Sequence, residues 1–158
     1  MSEVAASQDT GVFARSAARR RLERQWRILA VISVGGGIGS VARYLIEEAL
    51  PTPVGGVPWA TFLINVTGSL ALGFLMVYVL EVWPPRRYVR PFIGVGILGG
   101  YTTFSTYTTE IRALLAGHAW ATGTLYALGS LALGLVAVWA GIVGARYVSG
   151  RPLRRGAK

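Results

Sequence analysis

Four apolar stretches, each long enough to cross a lipid bilayer, constrain this chain more than any other feature. They run from Ile28 to Ile46, from Trp59 to Leu80, from Pro91 to Ala116 and from Trp120 to Val148. A span needs about 20 mainly apolar residues. A soluble domain of 158 residues, 53% hydrophobic and 15% charged, lacks the interior volume to hide them. The expected solvent is therefore lipid. Strand alternation is missing and four segments cannot close a barrel, so the spans should be helices. The expected organisation is a basic, mostly disordered tail over residues 1–25, a four-helix membrane domain over 26–148, and a basic tail over 149–158.

The flanks agree. Trp26, Trp59, Trp83 and Trp120 fall at span ends, with Tyr44, Tyr78, Tyr88 and Tyr147 close by, as an interfacial aromatic belt requires. Trp139 is mid-span and should pack internally. Four spans place the N-terminal tail, the Pro84–Arg90 connection and the C-terminal tail on one side. That side holds 14 of the 16 basic residues; Arg43 and Arg112 are the others. The positive-inside rule puts both termini in the cytoplasm. Membrane anchoring accounts for the basic tail without nucleic acid.

Several function classes fall away. The chain has no cysteine and one histidine, His118, so thiolate and multi-histidine metal sites are excluded. No activated nucleophile is visible, and an enzyme is not expected. Gly94, Gly96 and Gly99 fit G-x-G-x-x-G, but no strand precedes them and the context is a span, so the dinucleotide reading is rejected.

The chemistry lies where polar groups enter the spans. Helix one carries Gly35 and Gly39 in a G-x-x-x-G pair, chiefly a packing device, and Arg43 in its last turns, placed either to snorkel or to face water. Helix two carries Asn65 about two turns inside, with Ser69 on the same face. A carboxamide in lipid must find a partner or line a polar path. In the third span, Gly99 and Gly100 precede Tyr101-Thr102-Thr103, and every residue from Tyr101 to Thr109 except Phe104 carries a hydroxyl. The helix should break there. Broken spans survive only where protein or a cavity satisfies the freed backbone. Phe104, Tyr107 and Ile111 form one stripe of the second half-helix. On helix four, Tyr126, Ser130 and Gly134 share a face.

Taken together, GGIGSVARY, TFLINVTGSLALG and GGYTTFSTY resemble the Fluc (CrcB) family of small fluoride channels over roughly residues 28–148. The resemblance implies an all-α integral membrane protein with four transmembrane helices, the third broken mid-membrane, assembled as an antiparallel dimer. It implies that Asn65, Phe104, Ser105, Thr106, Tyr107, Tyr126 and Ser130 face the fluoride pathway. Arg43 would stand at the aqueous vestibule. The backbone carbonyls of Gly99 and Thr102 would hold a structural sodium ion at the dimer interface. Fluoride leaving water needs replacement donors, which amide, hydroxyl and aromatic ring edges supply. Two positions depart from the family pattern. Tyr107 stands where phenylalanine is usual, and Gly134 where a hydroxyl is common.

An antiparallel homodimer needs one sequence inserted both ways. The charge bias instead favours one-way insertion and pairing with an oppositely oriented homologue. The expected location is a bacterial inner membrane, with fluoride as the transported ion. A four-helix multidrug exporter would want a carboxylate inside a span, and Glu81 and Glu110 lie near helix ends. A non-transporting membrane subunit would not need the hydroxyl-rich break.

Overall fold

The computed structural model describes residues 2–84 and 86–150, with side chains from Arg19 onward. It is helical throughout, and no strand occurs among the described residues. Helix α1 spans Ser2–Ala49 and α2 spans Trp59–Val77, prolonged by a π-helical turn over Tyr78–Val82. The third span begins as a π-helical segment, Arg90–Ile97, and passes into α3, Leu98–Tyr101. After an interruption come α4, Ser105–Ala116, and α5, Trp120–Val148. Segments Arg19–Ala49, Trp59–Val82 and Trp120–Val148 are each long and apolar enough to cross a membrane.

One expectation about extent needs amendment. The backbone over residues 2–25, expected to be mostly disordered, continues α1 as helix. Its Ala- and Arg-rich composition favours helix, and Arg19 and Glu23 pair at i, i+4 across 3.5 Å. Of the C-terminal tail, residues 151–158 lie outside the described residues.

Small residues make up much of the interior, beside the larger Ile64, Leu75, Val77, Leu114 and Tyr126. Ala60, Thr61, Gly68, Gly73, Ala137, Gly141 and Ala145 are buried, while Leu125, Leu128, Leu131 and Leu135 point outward. Lipid supplies no hydrophobic drive between helices, so close backbone approach must hold them together. A Cβ on Gly39 would strike the Ile97 carbonyl, and one on Gly100 would strike the Gly36 carbonyl. The G-x-x-x-G pair on α1 therefore meets a second one, Gly96 and Gly100, on the third span. A second seam joins α2 to α5, where a Cβ on Gly73 would strike Val138 O and one on Gly141 would strike Leu70 O.

The third span changes partner along its length. Before the interruption, residues 90–101 lie mainly against α1; after it, α4 lies mainly against α5. Trp26, Trp59, Trp83 and Trp120 are all exposed, as membrane-boundary side chains should be. Trp139 does not pack internally: it is 65% exposed and faces away from the bundle.

The single histidine has a structural post. His118 adopts φ 60° at the end of α4. Its N–H donates to Leu115 O at 3.1 Å, and Ala119 N–H donates to Leu114 O at 2.9 Å. That is a Schellman closure with histidine at the position glycine usually takes.

Candidate functional site

The interruption covers Thr102–Phe104, slightly later than the glycines suggested. Helix α3 runs through Gly99 and Gly100 to Tyr101, because Gly100 serves close packing against α1 and not helix breaking. Thr102 then turns extended, at φ −77° and ψ 156°.

Freed backbone groups in a membrane interior cost several kcal/mol unless satisfied. Asn65 supplies the partners. Its Oδ1 accepts from Thr103 N–H at 3.0 Å, and its Nδ2 donates to Thr103 O at 2.9 Å. In a continuous helix, Thr103 N–H would donate to Gly99 O. Its diversion to Asn65 releases the Gly99 carbonyl, and Gly99 is exposed with open space around it. The Thr102 hydroxyl turns back to donate to Leu98 O at 2.9 Å.

Thr103 also opens α4. Its Oγ1 accepts from Thr106 N–H at 3.2 Å and donates to Thr106 Oγ1 at 3.0 Å. Ser105 Oγ lies 3.4 Å from the same hydroxyl. Ser105 and Thr106 thus gather around Thr103 at the helix start.

A cleft of about 290 Å³ opens beside the break, lined by Asn65, Ser69, Thr103, Phe104, Tyr107, Ser130 and Gly134 together with Leu131, Leu135 and Val138. Four of the residues expected to face the pathway, Asn65, Phe104, Tyr107 and Ser130, meet there. Phe104 is 76% exposed, with its ring centroid 5.9 Å from that of Tyr107. Ser130 is 8% exposed, and its Oγ is buried without a hydrogen-bond partner on the cleft wall. Asn65 keeps one amide N–H beyond the bond to Thr103, since a carboxamide has two donors.

The extra hydroxyl of Tyr107 does not dangle in the cleft. It donates to Ala127 O on α5 at 2.7 Å. Gly134 lines the cleft without a side chain, and a Cβ there would sit 3.7 Å from Ser69 Oγ.

Tyr126 stands behind this wall, 4% exposed, its ring centroid 5.5 Å from that of Tyr107. Its hydroxyl donates to Glu110 Oε2 at 2.7 Å, and Thr61 Oγ1 donates to Glu110 Oε1 at 2.8 Å. The carboxylate of Glu110 is thereby held between α2, α4 and α5. The sequence reading did not single out Thr61 or Glu110 for this role. A glutamate one turn beyond the aromatic stripe was the available signal. Arg43 is half-buried on α1, four residues before Glu47 and apart from the cleft lining.

These features define a small, all-helical integral membrane protein with a largely apolar cleft at a broken span, into whose wall an amide, a buried hydroxyl and aromatic rings are set. The chain belongs to the CrcB family: the family described as "CrcB-like protein, Camphor Resistance (CrcB)" matches residues 30–142. It is similar to the fluoride-specific ion channel FluC 2 of Nocardia farcinica, 53% identical over 131 residues, covering 80% of this chain and 91% of the relative. It is also 43% identical over 138 residues to FluC 1 of Streptomyces coelicolor, covering 87% and 90%. A third relative, FluC 2 of Streptomyces avermitilis, is 49% identical over 113 residues, covering 70% of this chain and 72% of its own. This is a family of channels and not of enzymes.

Proposed function

We propose that this chain is a subunit of a fluoride-selective channel that lets cytoplasmic fluoride leave passively and so confers fluoride resistance. The observation that carries the reading is the cleft beside the break, where the spare N–H of Asn65, the buried hydroxyl of Ser130 and the rings of Phe104 and Tyr107 converge. A small, strongly hydrated anion needs replacement donors in a narrow passage. Phe104 presents its ring to open space, so a ring edge is available to an anion. The names of the relatives support the choice of ion.

The cleft is open on one side, which fits completion by a second subunit. The assembly we infer is an antiparallel dimer in the bacterial cell membrane. The basic bias of 14 residues in 16 orients this chain with its termini in the cytoplasm. It also favours an oppositely oriented homologue as partner over a second copy. The released carbonyl of Gly99, an exposed residue, fits with that of Thr102 a sodium site at the dimer interface. Such an ion would supply fixed positive charge in a low-dielectric region.

The test is fluoride efflux from liposomes holding this protein, read with a fluoride electrode, with chloride as control. Selective efflux from the chain alone supports the channel and replaces the heteromeric assembly with a homodimer. Efflux only after adding an oppositely oriented homologue supports both. No selective efflux in either preparation overturns the reading.

A further inference from the structure

A second cleft, of about 370 Å³, lies at the start of the first span and is lined by Arg20, Arg21, Glu23, Arg24, Arg27 and Arg87. It is formed by two elements far apart in sequence, the cytoplasm-side end of α1 and the connection before the third span. Arg20, Arg24 and Arg27 are spaced four and three apart, so they share one helix face. Glu23 is the one acid on the wall among the described residues, and it already pairs with Arg19 at 3.5 Å. Like charges at this spacing repel. Among the described residues, Arg21, Arg24, Arg27 and Arg87 thus face one carboxylate that is already shared, and the site favours an anion.

Its depth says which anion. The apolar run starts at Ile28 and Trp26 is exposed at the boundary. At about 1.5 Å per residue, Arg24 and Arg27 fall within about 6 Å of the first apolar residue, inside a headgroup layer about 5–8 Å thick. Arg87 carries its guanidinium 5.4 Å from the Tyr88 ring centroid, which anchors it at the same interface. Guanidinium forks match phosphate oxygens bidentately. We propose that this cleft binds the phosphate of an anionic phospholipid, bridging α1 to the Arg87 connection. A dozen or so water volumes fit in the space, at about 30 Å³ each, which leaves room for a phosphate with its glycerol. The site is independent of the ion pathway.

The experiment uses the full chain in mixed micelles of phosphatidylglycerol and phosphatidylcholine, followed by native mass spectrometry of retained lipid. Phosphatidylglycerol should be retained over phosphatidylcholine. The double variant Arg24→Gln/Arg87→Gln should lose about tenfold or more of that retention. Arg112→Gln, outside the cleft, should retain it fully. Should the double variant fail to fold, salt titration of the unaltered chain decides: retention must fall as ionic strength rises. Equal retention of both lipids, undiminished retention by a folded double variant, or retention indifferent to salt would overturn the proposal. So would displacement of the lipid by millimolar inorganic phosphate, which would assign the cleft to a soluble anion.

Discussion

The side-chain amide of Asn65 pairs with both backbone groups of Thr103, accepting its N–H at 3.0 Å and donating to its carbonyl at 2.9 Å. One side chain on α2 thereby stands in for the helical turn that the third span gives up.

Asn65→Leu should leave both Thr103 groups without partners, at about 1–3 kcal/mol each. Thermal unfolding in detergent would show the loss as a lowered midpoint. Fluoride efflux should disappear in the fraction that remains folded. Unchanged efflux would remove Asn65 from the pathway.

Tyr107→Phe deletes the donor to Ala127 O. That carbonyl keeps its own helical partner, so the cost should be about 1 kcal/mol or less. The ring remains between Phe104 and Tyr126. Efflux by this variant, measured against the parent in the same liposomes, should be retained, whereas Tyr107→Leu should lose it.

Glu110→Ala strands the hydroxyls of Thr61 and Tyr126, which both donate to its carboxylate. The expected destabilisation is about 1–3 kcal/mol per buried hydroxyl. Glu110→Gln keeps an acceptor and, because a hydroxyl can also accept, should fold with a midpoint near that of the parent. A circular-dichroism melt of the two variants side by side distinguishes these outcomes.

Gly100→Val pushes a side chain into the Gly36 backbone, whereas Gly37→Ala meets nothing within 4 Å. The first should cost about 3 kcal/mol or more, since backbone cannot yield as a side-chain end can. The second should be neutral. Yield of monodisperse protein on size exclusion reads the difference.

His118→Gly relieves a left-handed conformation, φ 60°, at the α4 terminus. Stability should rise by about 0.5–1 kcal/mol, visible as a higher melting midpoint with efflux unchanged.

The spans, their ends and the existence of the break were legible because lipid imposes them: apolar length, boundary tryptophans and a run of hydroxyls each have one physical use in that solvent. The exact site of the break was not. Gly99 and Gly100 read as helix breakers, yet Gly100 is needed to pass Gly36 and the helix continues through both. What ends it is a bond between Asn65 and Thr103, 38 positions apart, and no local pattern carries that distance. Glu110 was likewise misjudged from its place near a helix end, because the hydroxyls that hold it come from two other helices. Trp139 was expected inside the bundle. Small residues already fill that interface, and the indole has been left outside.

The third span keeps company with α1 before Thr102 and with α5 after Phe104. In effect it is two short helices owned by different halves of the protein. A chimera made by exchanging chain segments between relatives at this interruption would therefore leave each half-helix with its own main partner. An upstream donor piece would bring its own α1 contacts and a downstream piece its own α5 contacts. The two pieces would still have to match along the α2–α5 seam, where Gly73 meets Val138 and Gly141 meets Leu70, and at the Asn65–Thr103, Thr61–Glu110 and Glu81–Arg146 bonds.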